Sequence, residues 1–262
     1  MNRQLLGWSV WLVTLVAGVL VAGEEPFSQL NGPIVTVEEW RYKVEMRFGK
    51  PEEILEHHSK TIYDEYLNPI ETIYFSLTGE IEERYVRTFD SSGRLVQIIK
   101  YDGASRLVAQ TTTEYEGLVE FARTYNADGH LISATRREMD AQGRVLRLTT
   151  YDVESGEEKA TITYSYTPEG YPLLTTMVVK GTSTTIEYTY DFEGMDVISQ
   201  FTLYLLGIKI SSKITGTRII SVDQYGNWTE KHTFERKEQF GRVEWVPQYV
   251  YRREITYREN SP

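Results

Sequence analysis

Between Thr182 and Tyr190 the chain alternates: Thr182, Thr184, Ile186, Tyr188 and Tyr190 take one side of an extended backbone, and Ser183, Thr185, Glu187 and Thr189 the other. Tyr249, Tyr251, Arg253, Ile255 and Tyr257 repeat the arrangement further on. A period of two is that of a strand, whose successive side chains stand on opposite faces. Residues 95–101, 107–115 and 131–139 have strand lengths and are rich in Val, Ile, Thr and Tyr, which pack well on a pleated surface. Each predicts a strand with one covered face and one wet face.

The polar residues between these stretches recur in a fixed order. Phe89-Asp90-Ser91-Ser92-Gly93-Arg94-Leu95, Tyr125-Asn126-Ala127-Asp128-Gly129-His130-Leu131 and Met139-Asp140-Ala141-Gln142-Gly143-Arg144-Val145 are its fullest copies. Starts fall at Tyr63, Phe75, Phe89, Tyr101, Tyr115, Tyr125, Met139 and Tyr151, a near-constant step with drifting identity, which is a repeat. Asp or Asn opens a turn by bonding backbone N–H groups two residues on, and Gly takes the positive φ that a Cβ penalises. The turn residues are therefore Asp90 and Gly93, Asp102, Asp128 and Gly129, Asp140 and Gly143, Asp191 and Gly194, and Asp223 and Gly226. Leu67 and Ser105 stand where two copies lack glycine, and beside Asp102 the glycine is displaced to Gly103. Arg94, Arg106 and Arg144 read as residues that follow turns.

Short turns make neighbours antiparallel, and no helical stretch is long enough for parallel crossovers. The product is an all-β protein, a long antiparallel β-meander. Strand twist prevents so wide a sheet from staying flat, so it curls, splits or closes. A curved open sheet, half-barrel or spiral is the expected form, as one domain over residues 24–262. Residues 51–58 have some helix character, with Pro51 ahead of acids, but the turn register at Tyr63-Asp64 favours a strand.

The Tyr-Asp-x-x-Gly-Arg-Leu unit resembles the YD repeat of the RHS family, on Phe89 to Leu95, Tyr125 to Leu131 and Met139 to Val145, with Asp223 to Trp228 similar to its Asp-x-x-Gly-Asn variant. The resemblance spans roughly residues 60–230. It implies a β-repeat fold in a bacterial envelope or extracellular setting, and it brings no catalytic residues.

The first 23 residues are a different material. Arg3 is their one charge, an apolar run follows from Leu5 to Val21, and Val21-Ala22-Gly23 offers small residues before Glu24-Glu25. This reads as a secretory signal peptide cleaved near Gly23, with an uncleaved membrane anchor as the alternative. The protein is thus expected to be exported, periplasmic or extracellular. It has no Cys, so neither a disulfide framework nor a lipid-modified cysteine arises. A net charge of −10 argues against nucleic acid, which demands clustered cations.

Candidate chemistry is thin. Of four histidines, His57 and His58 are adjacent and point apart on a strand, and His130 lies in a turn. Asn126-Ala127-Asp128-Gly129 echoes a calcium loop, but its run of oxygens stops at His130. Adjacent acids such as Glu82-Glu83 face apart, unlike the opposed carboxylates of a glycosidase. No catalytic, metal or cofactor residues are assigned, and no cofactor is called for. The final segment departs from the repeat, which makes Trp228, Trp245, Tyr249 and Tyr251 the candidate ligand-contact aromatics.

These readings lead to a non-enzymatic exported binding or scaffold module for an envelope protein, glycan or lipid, with self-association open to it through a sheet edge. The alternatives are a periplasmic carrier holding a lipid or acyl chain on a concave face, and a hydrolase.

Overall fold

A computed structural model describes residues 30–168, 170–179, 182–191, 197–239 and 241–259. The signal-peptide reading and Gly194 lie outside them, and Asp191 is placed only as the last residue of its strand. Sixteen strands follow in order: β1 (Ile34–Arg47), β2 (Lys50–Tyr63), β3 (Pro69–Phe75), β4 (Ile81–Phe89), β5 (Leu95–Asp102), β6 (Leu107–Glu116), β7 (Val119–Asn126) and β8 (Leu131–Met139). Then come β9 (Val145–Tyr151), β10 (Glu158–Tyr166), β11 (Pro172–Val179), β12 (Thr182–Asp191), β13 (Val197–Leu205), β14 (Ile208–Val222), β15 (Trp228–Gln239) and β16 (Arg242–Tyr257). Every strand pairs antiparallel with its sequence neighbours, and residues 51–58 are strand, inside β2.

The sheet is closed. β1 pairs with β16 from Ile34↔Tyr257 to Lys43↔Tyr249, completing a barrel. This corrects the expectation of an open sheet, half-barrel or spiral. It also removes the edge through which self-association was expected, because closure pairs the backbone groups an edge would offer. β1 and β16, which close the ring, lie outside the copies of the repeat, the last of which is the Asp223 turn between β14 and β15.

The turns explain the meander. Asp90 Oδ1 accepts the Ser92 and Arg94 N–H groups at 2.8 and 2.9 Å, and the Gly93 N–H donates to the Asp90 carbonyl. Gly93 has φ 76°, and the register shifts beside the turn, as in a three-residue hairpin ending in a glycine bulge. Asp140 and Asp223 build the same turn. In the copy at Asn126 the Asn side chain accepts the Asp128 and His130 N–H groups, so Asp128 lies within the turn and contributes its N–H.

The two copies that lack glycine resolve in the same way. Leu67 and Ser105 adopt the left-handed conformation themselves, at φ 63° and 61°. Gly103 is therefore no displaced turn glycine; a Cβ there would stand 2.1 Å from the Ile81 carbonyl oxygen, so close backbone approach requires it. Arginine is also part of the unit: Nε of Arg94, Arg106 and Arg144 donates back to Asp90, Asp102 and Asp140 at 2.8, 2.8 and 2.6 Å. Arg94 and Arg144 then lie over the rings of Tyr115 and Tyr166, whose hydroxyls donate to the Leu95 and Val145 carbonyls. Each turn is thus tied to a tyrosine two strands away from the one that enters it.

Tracing registers separates two faces. One carries Val37, Thr72, Thr113, Glu120, Ile162, Met177 and Ile186, all buried, and side chains crowd on the concave side of a curved sheet, so this face is inner. Burial raises the Tyr164 phenol to about 12, and it senses Arg137 on β8 and Tyr188 on β12 across the concavity. Among the described residues only eight apolar side chains are buried. Sixteen strands enclose more space than their side chains fill, so the barrel is hollow and its wall is one sheet thick. Ladder hydrogen bonds and cross-strand pairs, rather than a packed core, hold it together.

Candidate functional site

The chemistry gathers where the ring closes. At the end of the barrel where β1 begins and β16 finishes, the turn at residues 223–227 carries Asn in place of the usual arginine. Asn227, 2% exposed, accepts the Asn31 N–H at 2.7 Å and donates to the Asn31 carbonyl and the Tyr257 hydroxyl, each at 2.8 Å. The Tyr257 hydroxyl donates in turn to Asp223. Burial and the adjacent Asp223 raise the Tyr257 phenol to about 12. Burial pushes Asp223 up as well, but bonds from Tyr257 and the turn amides outweigh it and hold the carboxyl below its usual range. The tyrosine therefore stays a neutral donor to a carboxylate across the physiological range.

Inside the barrel, just beyond this clasp, cations and aromatic rings interleave. Trp228 is 4% exposed and lies 3.5 Å from the Arg253 guanidinium and 4.5 Å from the Lys231 ammonium, which is also 4.5 Å from the Tyr251 ring. Arg253 Nε donates to Glu39 at 2.7 Å. Arg41 lies over Tyr249, itself beside Tyr251. Tyr249 and Tyr251 thus share the inner face, as the registers Thr233↔Tyr249 and Lys231↔Tyr251 require, and Trp228 reaches it through its contacts with Lys231 and Arg253 beyond the β14–β15 register shifts. Trp228 is too covered to touch a ligand and acts as a platform for two cations. Trp245 pairs with Arg236 on the outer face and stands apart from the other three.

Outside the barrel at the same seam is a shallow groove lined by Trp40, Tyr42, Ser221, Thr229, Glu230, Arg252, Arg253 and Glu254. Two successive register shifts between β14 and β15 produce it, dropping Ser221 and Thr229 out of the regular pleat with their hydroxyls 2.7 Å apart. Trp40 stacks on His58 at 5.1 Å, and His58 stacks on Phe75 at 4.4 Å. Arg252 grips Glu53 through two bonds of 2.7 and 3.0 Å, reaches Glu230 at 3.4 Å and covers the Tyr42 ring. The Glu53 bonds raise the Arg252 guanidinium still further above neutrality. Burial pushes Glu230 up, and bonds from His232 and Arg252 more than reverse it, so the carboxyl sits below its usual range.

The adjacent histidines do point apart. His57 faces inward against Tyr74, its imidazole pushed down by burial and by Arg41, while His58 faces outward and bonds Glu38 at 2.8 Å. Sequence reasoning missed Trp40, Tyr42, Glu230 and Arg252, because β1 and β15 are unremarkable strands until their pairing is known. The alternation of Trp40 and Tyr42 was the one available signal. Among the described residues no three His, Asp or Glu side chains converge in a metal-binding group.

No family model and no curated protein matches the chain. Among solved structures it is similar to a porin-like protein from Bacteroides uniformis, at 14% identity over 88% of this chain and 100% of that one, with a TM-score of 0.41. Two TcdB2–TccC3 structures, one without the hypervariable C-terminal region and one with Cdc42, match at 12% identity over 80% of this chain and 15% of theirs, with TM-scores of 0.23. With TM-scores below 0.5, none of these likenesses bears on what the chain binds.

Proposed function

We propose that the chain is an exported, non-enzymatic β-barrel of the bacterial envelope, built from RHS-type hairpin repeats and working as a binding module. The observation that carries this reading is the seam, where the repeat is abandoned and unrepeated aromatic and charged side chains collect on both faces of the wall. The barrel works in water on this reading rather than as a pore. A membrane barrel turns an apolar band about 25 Å tall to lipid, whereas here charged pairs such as Arg84–Glu71, Arg136–Glu138 and Arg252–Glu53 occupy the outer face along the strands. The inner face is no lipid band either, with Arg137–Glu120 and Lys100–Glu83 on it.

The test is a pull-down from envelope extract on immobilised mature protein. Saturable retention of a component, competed by soluble mature protein, is expected. Retention of nothing above an inert control overturns the reading.

A second reading is favoured by one feature of the interior. Along β9 to β13 the described inner-face side chains between Leu148 and Leu203 carry no charge and include Ile162, Met177, Ile186 and Tyr188. Such an arc suits a carrier with an acyl chain against its wall. Organic extraction of purified protein distinguishes the two: stoichiometric lipid supports the carrier, and its absence leaves the surface module.

A further inference from the structure

Resting on the reading of the chain as a binding module, we propose that the outer seam groove is a saccharide site that takes neutral, hydroxyl-rich glycans. A sugar ring presents an apolar C–H face and a rim of hydroxyls that both donate and accept. The groove supplies a partner for each. Trp40 offers a ring fixed before any ligand arrives, because His58 backs it at 5.1 Å with 15° between planes and Phe75 backs His58 at 4.4 Å. A three-ring column leaves the indole little freedom to lose, and pre-organisation of this kind cuts the cost of binding. Tyr42 stands two residues on along the same outward face.

Around these rings the polar groups fit a polyol. Ser221 and Thr229 bring paired hydroxyls, Arg252 brings a guanidinium fixed by Glu53, and Glu230 and Glu254 bring carboxylates that accept. Charge then selects among sugars. Glu254 is directly opposite Glu38 in the β1–β16 pairing, and Glu230 and Glu53 border the same surface. The Arg252 charge is already matched by Glu53 and Glu230. Lys60 is likewise matched by Glu38 and Arg253 by Glu39, so a uronate, sulfate or sialyl group entering the groove finds the cations there already paired with carboxylates, whereas an uncharged hydroxyl meets well-placed acceptors. Glu230 is held ionised by His232 and Arg252, so it accepts hydrogen bonds from hydroxyls and has no proton to give to a glycosidic oxygen.

The probe is an immobilised panel of neutral and acidic oligosaccharides, followed by calorimetry with the tightest neutral member. Expected are binding of neutral over acidic members, recovery of the oligosaccharide uncleaved, and at least tenfold weaker binding in Trp40→Ala. Glu254→Ala, an exposed change that leaves the fold intact by circular dichroism, weakens binding by a similar factor. Trp245→Ala, on the same face but at the far end of β16, leaves it unchanged. Binding of acidic members alone, binding of none, or full affinity in both Trp40→Ala and Glu254→Ala overturns the saccharide site. If those variants still retain the envelope component in the pull-down, the binding module stands and only the groove assignment falls.

Discussion

Asn227→Ala deletes the clasp that joins the turn between β14 and β15 to the segment entering β1. Three short bonds disappear, since the Asn31 N–H loses its acceptor and the Asn31 carbonyl and the Tyr257 hydroxyl each lose a donor, and a longer one to Asp223 at 3.4 Å goes with them. A net contribution of about 1 kcal/mol for each short bond gives roughly 3 kcal/mol. At 2% exposure water does not replace the lost partners, which brings the expected cost to about 3–4 kcal/mol. For a chain of this size about 2–4 °C accompanies each kcal/mol, so Tm should fall by roughly 10 °C. Thermal melts followed by circular dichroism measure this, and hydrogen exchange should show β1 and β16 losing protection before the other strands. Asn227→Asp keeps an acceptor for Asn31 but sets a second carboxylate beside Asp223, so at neutral pH it should cost at least as much. A shift under about 2 °C, within one kcal/mol on the same scale, would refute the clasp. So would faster exchange distributed evenly over all strands.

Three further outcomes follow from the turns. Gly103→Ala forces a Cβ against the Ile81 carbonyl and should destabilise by about 2–3 kcal/mol; an unchanged urea midpoint would mean that β4 yields freely. Ser105→Gly relieves a left-handed serine at φ 61° and, after the entropy that glycine adds to the unfolded chain, should stabilise by about 0.5 kcal/mol in the same titration. The backbone N–H of Arg94 lowers the Asp90 carboxyl, that of Arg106 lowers Asp102, and that of Ser155 lowers Asp152. Because these folded-state pKa values lie below the unfolded ones, their stabilisation is complete above about pH 4 and is lost as pH falls through the folded values. Tm should therefore be flat near neutrality and drop below about pH 4, and a Tm that rises on acidification in that window would contradict the assignment.

How far the sequence revealed the molecule depended on the range over which each feature is encoded. The turn at Asp90 lies within five residues, so its aspartate, its glycine and the strands on either side were legible. Even the failures at Leu67 and Ser105 were visible as missing glycines, though not that these residues take the left-handed conformation themselves. Arg94 reads as a bystander because its ring partner, Tyr115, is 21 residues on, across the next strand. Closure was out of reach for the same reason: the partners Ile34 and Tyr257 share no local pattern, and the repeat specifies a reversal each time without specifying how many strands complete the ring. The groove inherits that blindness, since Trp40 and Glu254 meet only across the seam. The aromatic candidates rest on the last segment breaking the repeat, a logic that leads to the seam but does not say which side of the wall each ring faces.

Pairing β1 with β16 also sets a timetable. Every other strand can zip onto the one just made, but β1 must hold an unpaired side until β16 exists, and the loop to be closed is the longest the fold contains. An emerging chain therefore carries a vacant template throughout its synthesis, the situation in which chains pair with one another instead of with themselves. The bonds between Asn31 and Asn227 bring the entry to β1 beside the start of β15, so the loop left for the last strand to close is a short one.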